Sequence, residues 1–224
     1  MKTNQPHLHE GSFRDPNGFL FTEDGRLLRQ VNPSGSEDYD MLMSSGLYQA
    51  LVDKKLLVPH RELSDHPGYR QPCFKVIEPE KIGFISYPFE WSFSQMKDAA
   101  LTTLKIQRIA LEHGMTMKDG TAYNLQFRNG SPVFIDTLSF EIYREGAPWT
   151  AYRQFCQHFL APLALMSKTD IRLNELLKCH LDGIPLDLAG KLLPFHTRFQ
   201  PSLLMHIHLH AKAQKRYQHE GSAS

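Results

Sequence analysis

The sequence predicts an α+β protein of two lobes, a strand-rich one over residues 13–91 and a helical one over residues 92–217. Two observations carry this. Before residue 92, short apolar runs are bounded by turn residues; after it, apolar residues recur at helical spacing. A single hairpin signal, Asn129-Gly130, falls between the first two long helical segments. Strands and helices segregated in this way give an α+β layout with a cleft between the lobes as the expected binding place. A chain of 224 residues with 41% hydrophobic and 22% charged residues has the composition of an ordinary globular protein.

The elements follow in order. Residues 1–12 are polar and read as an arm. GFLFTEDGRLLRQV reads as a hairpin, Phe19 to Phe21 and Leu27 to Val31 about Asp24-Gly25. Asp38 to Leu57 reads as one helix with Leu42, Leu47, Leu51 and Leu56 inward, ending before Pro59. RELSDHPGYRQP is a loop, and CFKVIEP and IGFISYPFEW read as two strands. The clearest helix starts at a capping box, Ser92 with Gln95. Its apolar stripe is Phe93, Met96, Ala100, Leu104 and Leu111, and Gly114 stops it. Tyr123 to Phe127 and Pro132 to Ile135 flank the Asn129-Gly130 turn. WTAYRQFCQHFLAPLALM, IRLNELLKCHL and a segment near residues 201–216 read as helices, and residues 218–224 as a tail or linker.

Bulk properties remove several function classes. With 25 basic and 24 acidic residues the net charge is +1, so neither nucleic acid nor an anionic membrane is the expected partner. No apolar run approaches the roughly 20 residues of a membrane helix, and MKTNQPHLHEGSF has no apolar core of a secretory signal. Cys73, Cys156 and Cys179 are odd in number and lack CxxC spacing, which fits reduced thiols in the cytoplasm.

The stretch from Lys118 to Glu141, KDGTAYNLQFRNGSPVFIDTLSFE, holds Asp119, Asn124 five positions later, and Asp136 at the end of an apolar run. Phosphoryl transfer from ATP needs this set: a carboxylate to orient the acceptor, and an amide oxygen with a second carboxylate to hold magnesium. Each residue also has an ordinary structural role open to it. Asp119 beside Gly120 suits a turn, Asn124 a turn or strand edge, and Asp136 a cap before TLSFE.

With its surroundings the stretch resembles the protein-kinase-like and aminoglycoside-phosphotransferase-like superfamily. The resemblance lies in the order: hairpin, helix, two strands, a hinge-like PFEW, long helix, D-x4-N, hairpin, Ile-Asp. It implies a two-lobed kinase-like fold binding Mg-ATP in the cleft, with Asp119 as catalytic Asp, Asn124 and Asp136 as metal ligands, and Arg29 as the nearest candidate to contact phosphate. The chain departs from the pattern in several places. It has no G-x-G-x-x-G, only DPNGF as a phosphate-covering turn. Arg29 stands where the strand Lys belongs, and Arg and Lys differ in geometry. No helix Glu pairs with it by position: Glu37 precedes the helix, and Ser44 and Ser45 occupy its middle. Thr137-Leu138 follows Asp136, and Met117-Lys118 precedes Asp119. A transferase of phosphate to an unknown acceptor and a catalytically degraded pseudokinase-like module are therefore both open, as is a helical domain with no nucleotide site.

Longer phrases resemble a second group. ISYPFEWSFSQMKDAALTTL, GMTMKDGTAYNLQF, PVFIDTLSFE and PWTAYRQFCQHFLAPLALM are similar to the N-terminal half of bacterial class I SAM-dependent methyltransferase family proteins, including nodulation-type ones, from about Gly11 to Tyr217. The resemblance implies a methyltransferase domain as a partner in cis or in trans. This chain shows no Gly-rich SAM turn of its own.

Three other features have mainly structural readings. His206, His208 and His210 fit a polar helix face more readily than a metal site. Cys156 and His158, two apart on a helix, point away from each other, and His158 reads as a core histidine. Tyr87, Phe89 and Trp91 alternate as on a strand, at the place where a kinase-like hinge would contact adenine through its backbone.

Overall fold

The computed structural model describes residues 6–9 and 15–213. The rest of the arm, the end of the last helical segment and the tail lie outside them. The protein is a mixed α+β structure with a five-stranded antiparallel sheet in the order β1-β2-β3-β5-β4. It divides into two compact units. The first comprises Met1–Phe84, Lys105–Lys118 and Val133–Trp149; the second comprises Ile85–Leu104, Asp119–Pro132 and Thr150–Ser224.

The first unit holds the sheet: β1 (His7–Leu8), β2 (Gly18–Glu23), β3 (Arg26–Val31), β4 (His60–Glu62) and β5 (Lys75–Pro79). The β2–β3 hairpin turns at Asp24 and Gly25, both at positive φ (49° and 76°), as a two-residue hairpin requires. Side chains alternate between faces. Phe19, Phe21, Leu28 and Val76 form a core on one face, and Val31 and Ile77 join Tyr39 and Leu138 in a core on the other. Arg29 pairs with Ile77, so it lies on the second face. Gln30, fully buried on the first, donates to the Arg70 carbonyl (2.8 Å) and accepts from the Tyr69 and Arg70 amides (2.9 and 3.2 Å), which fixes the loop before β5.

The single helix expected over Asp38 to Leu57 is two, α1 (Ser36–Ser44) and α2 (Leu47–Asp53), because Gly46 at φ +80° interrupts the run. All four expected inward leucines are buried. His60–Glu62, expected as loop, is the edge strand β4, paired with β5. Conversely, IGFISYPFEW contains no strand. Phe84 is 76% exposed, and Pro88–Glu90 forms a single 3-10 turn.

Helix α3 (Phe93–Glu112) begins at the expected capping box, Ser92 N–H to Gln95 Oε1 (3.0 Å) and Gln95 N–H to Ser92 Oγ (3.3 Å). Gly114 ends it at φ +73°. Its buried face includes Met96, Ala99, Thr103, Ile106, Gln107 and Ala110, whereas Leu104 and Leu111 are each 43% exposed. Thr103 sits inside because its hydroxyl donates to the Ala99 carbonyl (3.0 Å). Gln107 does so because its Oε1 accepts the Met117 amide (2.8 Å). That bond anchors β6 (Met115–Met117), which pairs with β9 (Phe140–Ile142). β7 (Leu125–Arg128) and β8 (Ser131–Phe134) form a two-stranded sheet about Asn129 and Gly130, at φ 52° and 77°. The unit boundaries fall inside α3 and β8.

The second unit is otherwise helical: α4 (Tyr152–Phe155), a π turn over Cys156–Leu160, α5 (Ala161–Lys168), 3-10 turns over Ile171–Lys178, α6 (Leu186–Leu192), and α7 (Pro201–Leu203) continuing into a second π segment. Asn174 donates to the Phe89 and Trp91 carbonyls (2.9 and 3.1 Å), tying the 3-10 turns to the start of the unit.

Candidate functional site

In the first unit, the structure brings two of the expected site residues together. Arg29 Nη1 lies 2.5 Å from Asp136 Oδ1, and its Nη2 lies 3.2 Å from Asp15 Oδ2. Asp136 reaches this place because β8 is held to the chain before β4: Phe134 N–H donates to the Leu56 carbonyl (2.8 Å) and Val58 N–H to the Phe134 carbonyl (2.9 Å). The Asp136 carboxylate is engaged at both oxygens. Oδ1 also accepts the Leu138 amide (2.9 Å), and Oδ2 accepts the Ser139 hydroxyl (2.8 Å). The DPNGF turn supplies Asp15 to Arg29, while Asn17 N–H donates back to Asp15 Oδ1 (2.9 Å). Sequence reasoning missed Asp15, since nothing marks it beyond being an acid in a turn.

The acidic start of α1 serves a different cation. Asp38 pairs with Lys118 (2.9 Å) and accepts the Ile142 amide (3.1 Å).

Asp119 and Asn124 lie on one loop of the second unit. Asp119 Oδ1 accepts the Thr121 amide (3.1 Å), the turn chemistry its Gly neighbour suggests. The Gly120 amide donates to Gln154 Oε1 (3.0 Å). Ala122–Asn124 is a single 3-10 turn with Ala122 fully buried, and the Tyr123 hydroxyl donates to the Leu177 carbonyl (3.3 Å).

The segment expected to present backbone groups to a ligand presents some of them to Gln126 instead. Ser86 N–H donates to Gln126 Oε1 (2.9 Å), and Gln126 Nε2 donates to the Ser86 carbonyl (3.1 Å). Gln126 is 4% exposed. The one available signal was an amide between the apolar Leu125 and Phe127. Tyr87 and Phe89 stack on each other (5.4 Å, 6°), and Trp91 is buried against Phe127.

The three C-terminal histidines do not converge. His206 meets the Tyr152 hydroxyl (2.5 Å), His210 stacks on the Tyr152 ring, and His208 meets the Thr197 hydroxyl (3.0 Å). Among the described residues no group of three or more His, Cys, Asp or Glu could hold a metal ion. Cys156 is a buried free thiol whose pKa burial pushes up, the opposite of an activated nucleophile.

His158 is fully buried, and burial pushes its ring down to about 4 from 6.5, against a weaker opposing pull from Asp182. The sign follows. The unfolded chain takes up a proton near 6.5 that the folded protein refuses until about 4, so the full stability is present above 6.5 and is lost as the pH falls toward 4. His60, also lowered to about 4, adds in the same direction. His158 alone contributes up to about 3 kcal/mol across that window. Urea unfolding as the pH falls from about 7 to about 4.5 is expected to show declining stability, with a shallower decline in His158→Phe. An equal slope in the variant would contradict this.

No family model matches the sequence. The nodulation protein NoeA of Rhizobium meliloti (strain 1021) is 38% identical over 212 residues, which are 94% of this chain and 44% of that protein. The chain thus spans less than half the length of this relative, and no helix among the described residues is long and apolar enough to cross a membrane.

Proposed function

We propose that the chain is a kinase-like recognition module of a longer protein, in which a further domain, a methyltransferase, acts on what this module selects. On this reading the nucleotide lobe is degraded and transfers no phosphate. The part in nodulation named for the relative would belong to the whole protein. Support for the kinase-like arrangement comes from element order: β3 with Arg29, α1 and α2, β4 and β5, the long α3, the Asp119–Asn124 loop, the β7–β8 hairpin, then Asp136.

The observation that carries the degraded reading is the Asp136 carboxylate. A magnesium ligand needs an oxygen open to the ion, and a neighbouring cation opposes binding. Here Oδ1 faces the Arg29 guanidinium at 2.5 Å and Oδ2 is bonded to Ser139. Arg29 is itself held by two carboxylates, Asp15 and Asp136. These residues do not fit a resident magnesium nucleotide. The Gln126 amide on the Ser86 backbone adds to this, since it takes groups that a purine edge would use.

Thermal melting with ATP, with and without magnesium, tests the proposal. A nucleotide at ten times its Kd would stabilise the folded state by about 1.4 kcal/mol, a rise of about 3–5 °C for a chain of this size. The expected result is no rise. A magnesium-dependent rise lost in both Asn124→Ala and Asp136→Ala would sink the proposal. It would restore the phosphotransfer reading, with Asp119 orienting the acceptor, Asn124 and Asp136 on magnesium and Arg29 on phosphate.

A further inference from the structure

A cavity of about 780 Å³ opens in the second unit, lined by α4 and its π turn on one side and by the chain from Cys179 to Asp187 on the other. Thr121, two residues beyond Asp119, is also in its wall. The volume lies within the range of small-molecule sites, about 300–1,000 Å³. Its polar lining comes chiefly from Arg153, Gln154, Gln157, His158, Asp182 and Asp187.

Local geometry explains why polar groups gather there. The π turn shifts the helix register, and the Gln157 carbonyl accepts the Ile184 amide (3.0 Å), which draws residues 183–184 against the turn. Gln154 gives its Oε1 to the Gly120 amide, and Gln157 gives its Oε1 to Arg153 Nε (3.2 Å). Both glutamines thereby keep their amide nitrogens as donors. His158, with no exposed surface, has no hydrogen-bond partner for either ring nitrogen among the described residues. Two such groups are costly to leave unmet.

We propose that this cavity binds a small, uncharged molecule rich in hydroxyl groups, of the sugar or cyclitol class. The lining selects this chemistry by exclusion. Asp182 and Asp187 disfavour an anion, and the Arg153 guanidinium disfavours a cation. A bound metal is disfavoured by the lack of any ligand cluster among the described residues. An apolar ligand would meet neither the glutamine amide donors nor the His158 ring nitrogens. A hydroxyl both donates and accepts, which matches amide donors, carboxylate acceptors and a neutral imidazole that offers one of each. The site names what a recognition module would select, but it needs nothing from Arg29 or Asp136, so it stands or falls separately from the nucleotide reading.

The test is an NMR titration of the isotope-labelled full chain with D-glucose and myo-inositol, with inorganic phosphate and putrescine as charged controls. The expected result is saturable shifts of the Gln157 side-chain amide and His158 ring signals with the neutral probes alone, with affinity weakened about tenfold in Asp182→Asn and in Gln157→Leu. Asp182 is exposed and its substitution is isosteric, so that variant keeps its fold. No saturable shift with either polyol would overturn the proposal. So would a stronger response to phosphate or putrescine, or unchanged affinity in Asp182→Asn.

Discussion

Asp136→Ala is expected to lower the unfolding free energy by about 3 kcal/mol, the low end of what breaking a buried ion pair costs. The Arg29 side chain is only 10% exposed, so it cannot regain its hydration when its closer partner goes. Asp15 remains, at 3.2 Å and 31% exposed, and limits the loss. The variant also removes the acceptor of the Leu138 amide and of the Ser139 hydroxyl. Arg29→Met should cost less, about 1–2 kcal/mol, because Asp136 keeps those two donors and Asp15 keeps the Asn17 amide. The double variant should recover part of the sum, with a coupling of about 2 kcal/mol by urea unfolding. Strict additivity would mean that the pair is not a structural unit. The Asp136 carboxylate would then be available for other work, and the main support for a degraded nucleotide lobe would be gone.

Gly183→Ala is expected to cost about 2–4 kcal/mol, from backbone strain at positive φ together with a forced shift of the π turn. Gly183 sits at φ +90°, and a Cβ there would lie 2.6 Å from Gln157 Cβ, 2.9 Å from the Gln157 carbonyl carbon and 3.0 Å from His158 Cδ2. Two of these atoms belong to packed backbone or to the start of a side chain, so they cannot simply swing aside. Gly25 provides the comparison. It has φ +76° but nothing within 4 Å of its Cβ position, so Gly25→Ala pays the φ term alone, about 1 kcal/mol. Equal losses at the two sites, measured by urea unfolding, would show that the close approach at Gly183 contributes nothing.

What was readable in the sequence had a local cause. Asp24-Gly25 and Asn129-Gly130 carry the positive φ that two-residue hairpins need, and both hairpins are present. Ser92 with Gln95 and Gly114 bounded α3 at both ends. What was missed depended on distant partners. β4, β6 and β9 are three residues each, too short for alternation to show. Alternating aromatics suggested a strand at Tyr87–Trp91, but Trp91 turns in to meet Phe127 and Ser86, and the Ser86 backbone is taken by Gln126. The stripe of α3 was misjudged at Leu104 and Leu111, because apolarity was allowed to outrank Thr103 and Gln107, whose polar groups find partners inside. The π turns left no mark at all, since the extra residue per turn is imposed by packing rather than by any residue type. At the candidate site, Asp136 stood out as a charge just after an apolar run, and Arg29 as a charge beside the apolar Leu27 and Leu28. Asp15 became meaningful only through Arg29, 14 residues away, and Gln126 only through Ser86, 40 residues away.

The chain passes from one compact unit to the other at five places, after Phe84, Leu104, Lys118, Pro132 and Trp149. Neither unit is a continuous stretch, and α3 contributes a part to each. During synthesis the five-stranded sheet is complete in sequence at Pro79, but β6, β9 and the Asp136 turn, which complete the first unit, are finished only after the second unit's segments Ile85–Leu104 and Asp119–Pro132 have been made. Most of the second unit, Thr150–Ser224, follows the last residue of the first, so the first unit can mature ahead of the second. A cut after Trp149 would leave every residue of the first unit in one fragment, but together with Ile85–Leu104 and Asp119–Pro132 of the second, so excising either unit alone calls for loop closure or permutation, not truncation.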